Sequence, residues 1–423
     1  MTTLADPQVA QATASVASRD LAARFTGRRY LQLVLVLGAL TAIGPLTIDT
    51  YLPALPELSA ELGATNAQAQ LTITGLLLGL GFGQLIIGPL SDAVGRRKPL
   101  LVGLAAHGVM SLLCALAPSI TLLTITRTLQ GFAGAAVAVV AMAVVRDIFS
   151  GYRAAQLFSR LILVTGVAPI LAPSLGSALL RWTPWQGIFV VLAVAAVLLF
   201  VLALVGLPET LPVQRRLPAR LSTSLRSYAT LFTDKLFVVM VVVAGLMFAT
   251  LFAYISGSPF ILQGLYHLSP QQFGLAFGAN AFGLIMMTQV NPLLVRRWGP
   301  ARILRIGVAI SLLATVVLVL TSVTSTGGLV GFLVPMWVAM AGFGLSMPNA
   351  PALALSRHGE AAGTAAAVLG AAQFGIGGLV SPLVGLLSNG TAVPMAAIMA
   401  TAMLVATTIL FGLRKVLAAQ PME

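Results

Sequence analysis

The chain has 423 residues, of which 58% are hydrophobic and only 8% charged, with a mean hydropathy of +0.99. No soluble domain could cover that much apolar surface, so most of it must face lipid or other buried helices. The net charge of +13 does not point to nucleic acid, because the basic residues sit in short clusters separated by apolar stretches of about 20 residues, the length that crosses a bilayer.

Residues 1–29 are polar, rich in Ala, Ser and Thr, and end in Arg28-Arg29. They contain no apolar signal core and read as a cytosolic N-terminal tail. Twelve apolar spans are predicted, near 31–55, 66–90, 99–117, 120–145, 156–180, 185–207, 236–260, 271–295, 302–323, 328–353, 361–387 and 392–413. They group as an N-terminal half (30–207), a cytoplasmic linker (208–235) and a C-terminal half (236–413), with a cytosolic tail at 414–423. The linker carries Arg215, Arg216, Arg220, Arg226 and Lys235. With the N-terminus inside, every one of the 24 Lys/Arg lies cytoplasmic except Arg127, within span 4, and Arg181, in an outer turn. The expected fold class is an all-α integral membrane protein of twelve helices in two six-helix halves.

Span 1 contains Asp49. A charge inside a span costs several kcal/mol by most estimates unless it is paired or hydrated. At about 1.5 Å per residue from Tyr30, Asp49 falls in the outer half of the span. Two readings stand: a carboxylate in a central cavity, or one snorkelling to the outer interface. Span 2 has Gly75, Gly79 and Gly83 one turn apart, a spacing that lets helices approach closely. After it comes Gly88-Pro89-Leu90-Ser91-Asp92-Ala93-Val94-Gly95-Arg96-Arg97-Lys98, a tight charged hinge. Glycine permits the turn, the basic triplet prefers the cytoplasmic side, and Asp92 can accept from free amides at a helix N-terminus. This hinge resembles the loop between helices 2 and 3 of the major facilitator superfamily, with Ser91 and Ala93 as mild departures. The resemblance implies a conformational gate at Gly88, Asp92, Gly95, Arg96 and Arg97. Asp92 is expected to tie the hinge to the facing half when the cavity opens outward.

Span 4 carries Leu123-x-x-x-Arg127-x-x-Gln130-Gly131-x-x-Gly134-Ala135-Ala136, in which Arg127, Gln130, Gly131 and Gly134 share one helix face. The stripe resembles the span-4 motif of proton-coupled members of the superfamily, which implies that Arg127 takes part in proton transfer. Arginine hardly deprotonates, so its expected role is to tune a nearby acid. Asp49 is then the proton carrier, in a cavity shared with Arg127 and lined by Tyr51, Gln130 and Gly131. Span 5 contains Gly166-Val167-Ala168-Pro169-Ile170-Leu171-Ala172-Pro173-Ser174-Leu175-Gly176-Ser177. It is similar to the antiporter motif Gly-Pro-x-x-Gly-Gly, which would add Pro169, Pro173 and Gly176 to the gate. A plain helix kink is the other reading.

The second half repeats the first weakly. Pro89-Leu90…Gly95-Arg96 returns as Pro292-Leu293…Gly299, followed by Arg302, with Val295 where the acid would fall. Glycines concentrate on spans 2, 8 and 11; in the superfamily the halves meet at spans 2, 5, 8 and 11. Phe252 and Tyr254 on span 7, Asn280 on span 8 and Gln373 on span 11 are candidate cavity residues. Each stands equally well as a packing or helix-gluing group.

Asp49-Thr50-Tyr51-Leu52-Pro53-Ala54-Leu55-Pro56, Arg146-Asp147-Ile148-Phe149-Ser150-Gly151, Leu207-Pro208-Glu209-Thr210 and Tyr254-Ile255-Ser256-Gly257-Ser258-Pro259 narrow the resemblance. Together they look like the Bcr/CflA family of bacterial drug:proton antiporters. One departure is Gln186, where the family commonly has arginine after Trp185, which puts an outer-loop salt link in doubt. The resemblance implies export of a small lipophilic drug or toxic compound by proton-coupled alternating access. It also implies a bacterial inner-membrane location with both termini cytoplasmic, and function as a monomer in contact with membrane lipid. Transport of a small metabolite is the alternative. The lone Cys114 and the scattered His107, His267 and His358 offer no metal spacing. No catalytic cluster or nucleotide-binding loop is present, so neither an enzyme nor a bound cofactor, metal or nucleic acid is expected.

Overall fold

A computed structural model describes residues 27–149, 151–216, 228–356, 358 and 362–412. The tail 414–423, most of the tail 1–29, and the linker arginines Arg220 and Arg226 lie outside the described residues; residues 27–29 already belong to the first helix.

The described residues form twelve helices long and apolar enough to cross a bilayer. They are span 1 (Gly27–Glu61), span 2 (Asn66–Val94), span 3 (Arg97–Ala115), span 4 (Ile120–Ile148), span 5 (Gln156–Leu179) and span 6 (Gln186–Gly206). The second half holds span 7 (Lys235–Leu265), span 8 (Pro270–Trp298), span 9 (Pro300–Thr324), span 10 (Gly328–Leu355), span 11 (Gly363–Leu386) and span 12 (Val393–Gly412). The described residues of loops 2–3, 4–5, 6–7, 8–9 and 10–11 lie at one end, called here the basic end.

Local chemistry explains the boundaries. Spans 2 and 8 each begin with a capping box, Thr65 with Gln68 and Ser269 with Gln272, which satisfies backbone donors at the helix start. Each stops at a glycine of positive φ, Gly95 at 99° and Gly299 at 75°. The weak repeat read from the loop sequences is therefore a repeat of start and stop signals. Span 1 is longer than expected and broken. Its α-helix ends at Asp49, a 3₁₀ turn covers Leu52–Ala54, and a short helix resumes over Leu55–Glu61. Pro53 and Pro56 lack the N–H groups that would continue the ladder. Span 7 departs from α geometry at the same place in its half, where Lys235–Pro259 passes into a π turn over Phe260–Leu265.

Within the first half, spans 2 and 4 lie almost backbone to backbone. A Cβ on Gly131 would sit 2.0 Å from the Leu76 carbonyl oxygen, and one on Gly79 2.0 Å from that of Thr128. Between the halves, span 2 packs on span 11 and span 5 on span 8. Spans 3, 6, 9 and 12 stand outside this central set.

Candidate functional site

Spans 1, 2, 4 and 5 of one half and 7, 8, 10 and 11 of the other enclose a cavity of about 860 Å³. Its wall runs from Asp49, Tyr254 and Phe277 at the closed end to Asp92, Arg146 and Gly363 at the basic end. The wall is mostly apolar, in the manner of sites that take small organic molecules. Phe248, Phe252, Phe343 and Phe374 form one connected set of rings in it, with neighbouring centroids 5.9–6.2 Å apart. Tyr254 stacks on Phe277 at 5.1 Å and 14°, joining spans 7 and 8.

Asp49 is 4% exposed and faces this cavity; its Oδ1 has no hydrogen-bond partner among the described residues. Arg127 does not share the cavity. It is fully buried behind span 1, where one terminal nitrogen donates to the Thr47 carbonyl at 3.1 Å and to Gln130 Oε1 at 2.7 Å. The guanidinium lies over the Tyr51 ring at 4.2 Å. Gln130 passes the network to Ser111 at 2.7 Å, and Thr47 Oγ1 meets His107 Nε2 at 3.1 Å. The ion pairs among the described residues are at the basic end, and none joins Asp49 to Arg127. The expected shared cavity is thus corrected. Residues 47 and 49 are about 200° apart around an α-helix, so the span offers Thr47 to Arg127 and Asp49 to the cavity. The α-helix ends at Asp49, so Arg127 supplies a donor to one of its last carbonyls.

Of the other expected lining residues, Phe252 and Tyr254 face the cavity. Tyr51, Gln130, Gly131, Asn280 and Gln373 do not. Tyr51 is buried under Arg127 and bonds Thr72 at 2.8 Å. Gly131 is pressed against span 2, and Asn280 donates to its own helix at Ala276. Gln373 is half-buried outside the lining, while its neighbour Phe374 enters it. The sequence reading missed Phe248, Phe277, Phe343 and Phe374, and the contact of His107 with Thr47. Only the four-residue spacing of Phe248 and Phe252 carried a local signal, since the other rings come from different spans.

At the basic end the hinge is held within its own half. Arg96 bonds Asp147 at 2.8 Å, Ser91 at 2.8 Å, and Asp92 one turn earlier. Burial works against the Arg96 charge, but the hydrogen bond and charge of Asp147, and then those of Asp92, outweigh it and hold its pKa above the ordinary arginine value. The free amides at the start of span 3 go to Glu209: Arg96 N at 2.8 Å and Arg97 N at 3.2 Å. Glu209, rather than Asp92, is the carboxylate at that helix N-terminus. A Cβ on Gly95 would lie 2.4 Å from Glu209 Oε2, a second reason for glycine there. Gly88 lines the cavity mouth, and Arg97 donates to the Leu204 carbonyl at 2.6 Å. On span 5, Pro169 lines the cavity. Ser177 Oγ donates to the Pro173 carbonyl at 2.7 Å, and a Cβ on Gly176 would lie 1.7 Å from the Thr50 carbonyl oxygen at the break in span 1.

At the opposite end the halves touch. Ser177 donates to the Pro270 carbonyl at 2.7 Å and Gln263 to that of Pro53 at 3.1 Å. Nearby, Trp185 and Gln186 both donate to Glu61, at 2.8 and 3.0 Å, so the Gln186 amide meets this carboxylate by a hydrogen bond and not by a salt link.

Two helical halves around one cavity, closed at one end and open at the other, define a membrane transporter. The family model of the Major Facilitator Superfamily matches residues 35–382. A Bacillus subtilis protein named as an uncharacterized MFS-type transporter, YdgK, is 40% identical over 92% of this chain and 97% of its own length. A bicyclomycin resistance protein homolog of Haemophilus influenzae is 32% identical over 86% of this chain and 91% of its own. A chloramphenicol resistance protein of Pseudomonas aeruginosa is 31% identical over 86% of each. The solved structure of the Escherichia coli xylose transporter XylE, in a partially occluded inward-open conformation, has a TM-score of 0.70 at 15% identity, covering 91% of this chain and 98% of that one. A peptide transporter, POT, reaches 0.73 at 14%, covering 95% and 98%. Both of these share the fold alone. The chain belongs to the Major Facilitator Superfamily, in its Bcr/CflA branch, and is a multi-pass membrane protein.

Proposed function

We propose that this chain exports a small lipophilic drug or toxic compound in exchange for protons across a bacterial inner membrane, with its basic end and both termini in the cytoplasm. The carrying observation is the lone carboxylate of Asp49 at the closed end of an aromatic cavity whose mouth lies at the basic end. The names of two relatives, a bicyclomycin resistance protein homolog and a chloramphenicol resistance protein, support the choice of cargo. The clustering of Lys and Arg at one end supports the orientation.

On this reading the structure is the inward-open state. A lipophilic compound enters from the cytoplasmic side and packs against Phe248, Phe252 and Phe374. Its arrival accompanies release of the Asp49 proton to the inside; after the halves rock, Asp49 takes a proton from outside as the compound leaves. One proton moves in for each compound moved out. A charge crossing the membrane potential yields about 2.3 kcal/mol per 100 mV, enough for about a fortyfold gradient of a neutral cargo. Arg127 serves this exchange at a distance, by fixing the break in span 1 next to Asp49. The gate residues Gly88, Asp92, Gly95, Arg96, Arg97, Pro169, Pro173 and Gly176 lie where the halves or their loops must shift.

The test is a panel of toxic compounds applied to an efflux-deficient host expressing the chain, with and without a protonophore. Lower accumulation of a lipophilic compound, reversed by the protonophore, is the expected result. Protonophore-insensitive accumulation inside the cell would sink the antiport reading. A cysteine placed in the 208–235 linker that reacts with an impermeant external reagent would reverse the orientation.

A further inference from the structure

We propose that Gln70, with Thr74 one turn along span 2, is the latch that holds the closed end of the cavity shut. The assignment rests on the alternating-access reading above and adds to it a gating site that the loop and span-5 motifs do not contain.

Gln70 is 1% exposed and uses both ends of its amide across the boundary between the halves. Its Nε2 donates to the Ser256 carbonyl on span 7 at 3.0 Å, and its Oε1 accepts from the Gly385 N–H on span 11 at 2.7 Å. Thr74 Oγ1 donates to the Gly378 carbonyl on span 11 at 2.8 Å. Two of these partners, the Ser256 and Gly378 carbonyls, are backbone groups left without their regular helical bonds. Gly378 would normally accept from residue 382, but that residue is Pro382 and has no N–H. At the turn after Pro259 the Phe260 N–H goes to the Gly257 carbonyl rather than to Ser256. Prolines in the second half therefore open backbone groups, and side chains of the first half fill them. Gly385 makes the approach possible, since a Cβ there would lie 2.7 Å from Gln70 Oε1 and 2.6 Å from Ala67 Cα.

A backbone group buried at membrane depth must be satisfied by protein or by water. When the closed end parts, Ser256, Gly378 and Gly385 lose Gln70 and Thr74 at the moment that end admits water. Water then takes the same positions. The latch is thus strong while dry and exchangeable when wet, which suits a contact that must break once in every cycle.

The experiment uses the full chain with Cys114→Ser, which removes the single cysteine, and spin-label pairs read by electron–electron distance measurement. Trp182→Cys with Asn389→Cys spans the closed end, and Lys98→Cys with Arg297→Cys spans the basic end; all four positions are exposed. Gln70→Leu keeps the approximate volume and removes both bonds. Its expected effect is a rise of about tenfold in the ratio of long to short distances at the closed end, with a matching shortening at the basic end. Thr74→Val, which loses one bond, should shift the same ratio about threefold. Unchanged distributions at both ends in folded Gln70→Leu would overturn the latch. So would widening at the closed end without shortening at the other, which marks local damage. If Gln70→Leu does not fold, the Thr74→Val distances decide in the same way. No cargo is needed for this readout, so failure of the export panel and failure of the latch are separate outcomes.

Discussion

Asp49 and Arg127 lie on opposite sides of span 1, the carboxylate in the cavity and the guanidinium against the Thr47 carbonyl at 3.1 Å. The helix backbone stands between the acid and the cation that was expected to tune it. Arg127 is buried with Nε and one terminal nitrogen unpartnered among the described residues, and the faces of Tyr51 and Phe189, with Thr47 and Gln130, offset its charge. Such a group is costly to keep, and the role proposed for it in export would account for its presence.

Arg127→Met should therefore leave the melting temperature in detergent unchanged or higher. Relief of a buried charge is worth several kcal/mol, against about 1–3 kcal/mol for each of the two stranded acceptors, Thr47 and Gln130. Export should fall more than tenfold, because the break in span 1 loses its cap. Arg127→Lys keeps the charge but not the planar fork, and should recover only part of the activity. A large drop in melting temperature for Arg127→Met would contradict this balance.

Asp49→Asn should abolish proton-driven export in liposomes while binding of a neutral cargo stays within about threefold, since a single polar atom in the wall contributes little to an apolar site. The paired readouts are flux under an imposed pH gradient and ligand binding to purified protein. Wild-type flux in the variant would remove Asp49 from the coupling role.

At the basic end the three acids around Arg96 should rank by burial. The Asp147 side chain is 14% exposed and bonds Arg96 twice, so Asp147→Asn should cost about 2–4 kcal/mol. Glu209→Ala strips the cap from two amides of span 3 and should cost about 1–2 kcal/mol. The Asp92 side chain is 43% exposed, so Asp92→Asn should cost under about 1 kcal/mol, yet slow export as the gate role requires. Thermal melts and transport rates on the three variants check the order.

Gly131→Ala should destabilise by about 1–3 kcal/mol, because the new methyl meets the Leu76 carbonyl of the adjoining span, and backbone does not yield as a side chain would. Gly375→Ala, where no neighbour lies within 4 Å, is the control and should be neutral within about 0.5 kcal/mol.

Spans, halves and the hinge were legible in the sequence because hydropathy, charge clusters and glycine spacing act locally. The cavity was legible only in part. A deep acid and a deep arginine were easy to find, but their separation depends on which way Thr47 and Asp49 turn around a helix that breaks at Asp49. Gln130 and Gly131 lay on the right stripe of span 4, yet they meet spans 3 and 2, and only Gly134 at the end of that stripe reaches the cavity among the described residues. The ring cluster of Phe248, Phe343 and Phe374 joins three spans, so no window along the chain contains it. Glu209 stands in the sequence only as part of the stretch Leu207-Pro208-Glu209-Thr210, and nothing near it reveals that it caps span 3.

The matched signals on spans 2 and 8 bear on how the chain is made. Each of these spans carries its own beginning, in Thr65 with Gln68 or Ser269 with Gln272, and its own end, in Gly95 or Gly299. A helix so bounded has its register set by its own residues, without help from a partner span. Spans 2 and 8 can thus enter the bilayer with fixed ends, and the hairpins they form with spans 3 and 9 give each half a template on which later spans assemble.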